Sequence, residues 1–291
     1  MKRISDKELL EELQRRFDEN KQSMKELQAV NKKLEESEAL KSHFISNITN
    51  EIINPFTSIL ALSKSILSVK KEDWKKVISM VALIHSEAFN LDFQLRNIFM
   101  AAKIEAGELN PEVMDVDIVK LIENTMDSFR IEANKKKVQI MFSHNVPENE
   151  GEVNTFKTDP EKLRIILTNL LSNAVKFSFE DSNIEVSVNN ADGILELTVK
   201  DYGCGLSNKN QQIIYDRFKR LDSGINSLNR GHGLGLSISK ALIDLLNGKI
   251  HVSSQINKGT TFTVSLTEFE TISQGFSSSG DEFMFDDSDI F

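Results

Sequence analysis

The chain has 291 residues, which fits about two compact domains plus extensions, and 40% of them are hydrophobic, so a sizeable core can form. A net charge of -9 and a pI near 5.2 exclude general nucleic-acid binding, which needs a basic surface, and are compatible with a cytosolic enzyme. The one cysteine, Cys204, cannot close an intrachain disulfide, and no apolar run approaches the roughly 18 residues that cross a bilayer.

The start, Met1 to Leu13, is charged throughout and lacks a signal-peptide core. A cytoplasmic protein without membrane insertion is therefore expected. No sensor domain of ordinary size fits, so input is expected from a partner, the N-terminal helix or the tail.

Residues 5–40 hold no Gly or Pro, and Leu10, Leu13, Phe17, Asn20, Met24, Leu27, Asn31 and Leu34 recur at alternating steps of three and four. That heptad seam favours a coiled coil over a single solvated amphipathic helix, with Asn20 and Asn31 as buried polar positions fixing register. The same phase continues through Ile45, Ile48, Ile52, Ile59, Leu62, Ile66 and Val69. After a charged turn near Lys70 to Asp73, a second seam runs Trp74, Val77, Val81, Ile84, Ala88, Leu91, Leu95, Ile98 and Ala102, and Gly107 stands where a C-terminal cap belongs. Two long helices joined by a short turn form an antiparallel hairpin, and narrow seams predict pairing of two copies into a four-helix bundle, hence a homodimer.

From Val113 the pattern changes. Helices are predicted at 118–135, 160–177 and 234–246, and strands at 138–142, 184–188, 194–199, 249–253 and 260–266. The mixture predicts an α/β sandwich with helices on one face of a mixed sheet, so the chain as a whole is α+β. Residues 271–291 carry five acidic residues, no basic ones and four Phe, and read as a disordered tail.

Four separated motifs fall in the second domain. Asn169 and Asn173 in Asn169-Leu-Leu-Ser-Asn173-Ala-Val-Lys176-Phe177 share one helical face, and a neutral amide oxygen suits Mg²⁺. Asp201-Tyr-Gly203-Cys-Gly205 follows a predicted strand, its glycines permitting close backbone approach. Ile214-Tyr215-Asp-Arg-Phe218-Lys-Arg220 is amphipathic. Gly231-His-Gly233-Leu234-Gly235 opens a helix whose first N–H groups form an anion site, and Gly259-Thr260-Thr261-Phe262 begins the last strand. Each motif has a bland counterpart (a polar helix edge, a generic turn, an ordinary helix), and their order and spacing carry the case.

In that order they resemble the ATP-binding superfamily of gyrase, the ninety-kilodalton heat-shock chaperone and histidine kinases, over about residues 112–268. The resemblance implies ATP and Mg as cofactors. It implies Asn173 as the Mg²⁺ ligand, Lys176 as a phosphate contact and Asp201 as acceptor for the adenine amino group. Tyr215 and Phe218 would anchor a lid and Arg220 would reach the terminal phosphate. Asn169, Phe177, Gly203, Gly205, Gly231, Gly233, Leu234, Gly235 and Thr261 complete the binding set. Hydrolytic relatives place a glutamate base where Asn169 stands, so the site is expected to hold ATP or pass phosphoryl on.

Phe44-Ile-Ser-Asn-Ile-Thr-Asn50-Glu51-Ile-Ile53-Asn54-Pro55 resembles the phosphoacceptor box of two-component sensor histidine kinases. Asn50 occupies the place of the acceptor histidine and Ile53 that of an arginine. A delocalised amide nitrogen is no useful nucleophile, so conventional autophosphorylation is expected to fail. The spacing Glu51-Ile-Ile-Asn54 matches that with which the family orients water to dephosphorylate a regulator.

The expected organisation is a coiled-coil signalling helix (1–42), a dimerisation and phosphoacceptor hairpin (43–110), an ATP-binding domain (111–268) and an acidic tail (269–291). The expected partners are a second copy, a response-regulator receiver domain, and another kinase or sensor protein. Three rivals to an active kinase stand: a pseudokinase acting as regulator phosphatase, a non-catalytic dimeric scaffold, and a serine kinase of the anti-sigma type. Asn169 and the long hairpin count against the last.

Overall fold

The computed structural model describes residues 6–69, 73–146, 155–216 and 233–269; along the first helix it describes side chains at 13–28, 30–32, 35, 38 and from 52 onward. The two seams become helices α1 (Asp6–Leu67) and α2 (Trp74–Ala106), so α1 runs unbroken across the expected boundary at 42 and through Pro55. Gly107 ends α2 with φ 69°, its N–H bonding back to Ile104 O, as its position predicts. Leu13, Phe17, Met24 and Leu27 of the first seam are exposed, as are Trp74 and Val81 of the second. The terminal tail beyond Phe269 lies outside the described residues.

The second domain is built from β1 (Met114–Asp117), α3 (Ile118–Asp127), α4 (Arg130–Lys135), β2 (Gln139–Asn145), β3 (Thr155–Thr158), α5 (Pro160–Phe177), β4 (Asn183–Ala191), β5 (Ile194–Asp201), α6 (Asn208–Gln211), α7 (Gly235–Leu245), β6 (Lys249–Gln255) and β7 (Gly259–Thr267). Five strands form one sheet in the order β2-β4-β5-β7-β6, parallel only between β2 and β4. Alternation puts Ile184, Val186, Val188, Leu195, Leu197, Val199, Phe262, Val264 and Leu266 on the buried face. Against them pack Leu163, Ile166, Leu167, Leu170 and Leu171 of α5 and Ile238, Leu242 and Ile243 of α7. At about 1.5–3 kcal/mol for each fully buried apolar side chain, this layer is the main source of stability.

Two features depart from the expected pattern. The helix predicted over 118–135 breaks into α3 and α4, where Ser128 Oγ donates to Thr125 O at 2.6 Å and Phe129 is buried. A two-stranded sheet, β1 with β3, forms between segments about forty residues apart. Asp159 joins the hairpin's exit to this domain: Oδ1 caps α5 by accepting from Lys162 N–H at 2.9 Å, and Oδ2 accepts from Glu112 N–H at 2.7 Å. Helix α2 also packs on the domain directly. Phe89 meets Phe129 edge to face at 5.3 Å, Ser86 Oγ donates to Glu132 Oε1 at 3.1 Å, and Met100 enters the core.

Candidate functional site

The motifs converge where the C-terminal half of α5 meets the end of β5 and the start of α7. Asp201, the last residue of β5, is 6% exposed. Its Oδ1 accepts from Gly203 N–H at 3.0 Å and from Thr260 N–H at 3.3 Å. Burial pushes its carboxyl up to about 6, against the two backbone bonds and the charge of Lys136. Both bonds go to Oδ1, which leaves Oδ2 to accept from a ligand amino group.

The loop after Asp201 must be glycine-built. A Cβ on Gly203 would lie 1.9 Å from Phe177 O, so the loop lies directly on the end of α5. Gly205 has φ +62°, and a Cβ there would lie 2.0 Å from Gln255 O. Cys204 is exposed between them. Ser254 braces the loop: Oγ accepts from Leu206 N–H at 2.7 Å, donates to Gly259 O at 2.9 Å, and lies 2.9 Å from Thr260 Oγ1. Gln211 Nε2 donates to Ser254 O at 2.9 Å and to Leu206 O.

On α5, Asn169 is 1% exposed and Asn173 half-buried one turn on. Asn169 Nδ2 donates to Gly235 O at 3.1 Å and Ser239 Oγ at 3.2 Å, stitching α5 to the first turn of α7, and its Oδ1 is buried with no hydrogen bond among the described residues. An orphaned buried oxygen facing the helix start is what a polar ligand there would use. Lys176 lies 5.1 Å over the Phe177 ring. Gly233 has φ +68°, Leu234 is buried beneath, and Gly235 lies so close to Asn169 that a Cβ would meet Oδ1 at 3.1 Å. Tyr215 is half-buried, its hydroxyl is pushed up to about 12 by burial, and its oxygen has no hydrogen-bond partner among the described residues.

These residues fit an adenine nucleotide with a divalent cation in donor chemistry: a carboxylate oxygen for an amino group, amide oxygens suited to Mg²⁺, and N–H groups at the start of α7 that no side chain caps among the described residues. Among the described residues no group of three His, Cys, Asp or Glu forms a metal cluster, so a cation would be held through such neutral oxygens and a ligand's phosphates.

Thr261 pairs with Lys200 and Ser253 in register and shares their face of the sheet, away from Asp201. Thr260 is the residue in register with Asp201, and alternation along β7 puts it on that face. Sequence reading missed Ser254, whose role depends on a loop fifty residues away. Phe218, Arg220 and Gly231 lie outside the described residues, as do the side chains of Asn50 and Glu51. Asn54 is exposed on α1, far along the chain from the Asp201 cluster.

Residues 158–269 match the family described as histidine kinase-, DNA gyrase B-, and HSP90-like ATPase. The chain is 28% identical over 236 residues to the circadian input-output histidine kinase CikA of Synechococcus elongatus, covering 79% of this chain and 30% of that one. It is 31% identical over 230 residues to the sensor protein EvgS of Escherichia coli K12, covering 78% and 19%. The chain thus spans less than a third of these curated relatives. In fold it is similar to full-length ShkA in complex with AMPPNP, with TM-score 0.54 and 22% identity over 80% of this chain and 46% of that one. It is similar also to the histidine kinase AdeS of Acinetobacter baumannii, with TM-score 0.51 and 18% identity over 76% and 98%. Among the described residues no helix is long and apolar enough to cross a membrane. With an ATPase-type domain on a helical hairpin and these relatives in sequence, the chain belongs to the two-component histidine-kinase family.

Proposed function

We propose that this chain binds Mg-ATP in the domain of residues 111–268, acts on or with a response regulator as a homodimer in the cytoplasm, and does not autophosphorylate in the usual way. The observation that carries the nucleotide half is the Asp201 site: a buried carboxylate whose two backbone bonds both go to one oxygen, backed by Gly203 and Gly205, where no side chain fits. Asp201 would accept from the adenine amino group, Asn173 would offer an oxygen to Mg²⁺, and Lys176 would meet phosphate. The bound nucleotide supplies a transferable phosphoryl group. Asn169 is no base, and its amide is already used in joining α5 to α7, which supports retention of ATP over rapid hydrolysis.

The second half rests on Asn50. Phosphoryl transfer needs a lone pair that an imidazole has and a carboxamide does not. The exposed apolar residues Ile53, Phe56, Leu60, Trp74, Ile78 and Val81 support a hairpin paired with a second copy. The test is incubation with Mg²⁺ and γ-labelled ATP beside calorimetric ATP binding. The unsubstituted chain is expected to bind ATP and gain no acid-labile label, and Asn50→His to gain it. Label on the unsubstituted first helix overturns the reading.

The exposure of Asn54, one helical turn from position 50, favours regulator dephosphorylation as the remaining activity. There a water oriented by the Asn54 amide, with Glu51 alongside, attacks the aspartyl phosphate in line. A new P–O bond forms as the acyl-phosphate bond breaks, giving free aspartate and inorganic phosphate. Regulator phosphate decaying equally fast with and without the protein would leave the dimeric scaffold.

A further inference from the structure

All four carbonyls at the C-terminal end of α5 are bonded, which a helix end does not achieve by itself. Ser178 N–H donates to Ala174 O at 3.0 Å, and Cys204 N–H to Phe177 O at 3.2 Å. The two between them accept from one group. The Lys136 ammonium donates to Val175 O at 2.8 Å and also to Lys176 O. Lys136 is the C-cap residue of α4 and is half-buried, so this cation has been drawn out of water to sit at the negative end of the α5 dipole. Burial lowers its pKa from the ordinary lysine value, with the charges of Cys204, Glu180 and Asp201 opposing.

We infer that Lys136 is a positioning residue of the nucleotide site, holding the last turn of α5 so that Asn173 and Lys176 keep a fixed place relative to the Asp201–Gly205 loop. The inference rests on the nucleotide reading above. The turn that Lys136 clamps carries both Asn173 and Lys176. The same turn seats the loop, through Phe177 O against Gly203 and Cys204 N–H. No backbone N–H is on hand to do the job, because the chain leaves the helix at Ser178 with ψ 151°. Without the ammonium, the Val175 and Lys176 carbonyls lose this donor, and the bonds at Ala174 O and Phe177 O remain. The phosphate side of the site would loosen, while Asp201, fixed by Gly203 and Thr260, would stay in place.

The test compares Mg-ATP and adenosine affinities by calorimetry for the unsubstituted chain, Lys136→Met and Lys136→Arg, with melting curves alongside. Lys136→Met is expected to weaken Mg-ATP by about tenfold and adenosine by less than about twofold. Lys136→Arg is expected to restore most of the loss, since a guanidinium can donate to both carbonyls. A general loss of folding would move both ligands together. If Lys136→Met does not fold, Lys136→Gln is read by the same two outcomes. Equal weakening of both ligands, or of neither, overturns the inference while the nucleotide reading stands. A chain that binds neither ligand before any substitution overturns both.

Discussion

The titration of Asp201 gives the nucleotide reading its sharpest test. In the ligand-free chain burial pushes this carboxyl up to about 6, above the influence of its two backbone donors. Only the ionised form is a full acceptor for an adenine amino group. With a pKa of about 6, roughly nine-tenths of the protein is competent at pH 7 and about one-tenth at pH 5, so affinity for adenosine is expected to fall about tenfold between them. Adenosine is the right probe because it has no phosphate to titrate in that range. The Asp201→Asn variant is expected to bind adenosine weakly at both pH values, with the pH dependence gone. The same shift has a stability consequence of fixed sign. A raised folded-state pKa means that the native state holds its proton longer than the unfolded chain, so stability falls as pH rises through about 4 to 6. By neutral pH the buried charge costs the fold on the order of 3 kcal/mol, and Asp201→Asn is expected to melt no lower than the unsubstituted chain there. Adenosine affinity that stays level from pH 7 to pH 5, measured by calorimetry, refutes the reasoning.

Two further outcomes are expected. Gly205→Ala places a methyl 2.0 Å from Gln255 O on a backbone with φ +62° and is expected to cost about 2–4 kcal/mol, read as a drop of roughly 10 °C or more in the melting of the ATP-binding domain; a shift below 3 °C would contradict the close approach of loop and strand. Phe89→Ala removes the edge-to-face contact with Phe129 and is expected to weaken the seating of α2 on the second domain by about 1–3 kcal/mol. Limited proteolysis in the stretch 107–112 would then be severalfold faster, and an unchanged rate would show that the contact holds nothing.

Sequence made visible what local chemistry dictates. Helix α5 begins and ends where predicted, because Asp159 caps it, Pro160 opens it and its apolar period is unbroken. Helix α2 ends at the glycine that adopts a left-handed turn. All five predicted strands exist in one sheet, their alternation of buried and exposed residues being strong. What escaped depends on partners distant in sequence. The β1–β3 pair has four residues a side and no apolar run to announce it. The break after α3 follows from Phe129 turning in to meet Phe89, which no window over 118–135 contains. At the candidate site, the close approach of the glycines beside Asp201 was legible because the loop is local. Lys136 was not, because its partners lie about forty residues away.

The separation of residue 50 from the Asp201 cluster bears on what ATP would do under the proposed function. Asn50 sits on α1, whereas the Asp201 cluster belongs to the second domain, so residue 50 is no part of the cluster that would hold the adenine. On the proposed reading, a bound nucleotide keeps one influence even without an acceptor at residue 50. It can favour one placement of the domain on the hairpin over another, by as much as its affinity differs between them. Helix α4 is placed for that. One end meets α2 through Phe129 and Glu132, and the other reaches the last turn of α5 through Lys136. On the proposed reading, a nucleotide that tightens that turn also acts on the seating of α2. The prediction for Phe89→Ala then extends to binding: a coupled contact requires ATP affinity to change in that variant by the same factor as ATP changes the α2 contact. An ATP affinity indifferent to Phe89→Ala would mean that α4 transmits nothing and that the nucleotide serves this domain alone.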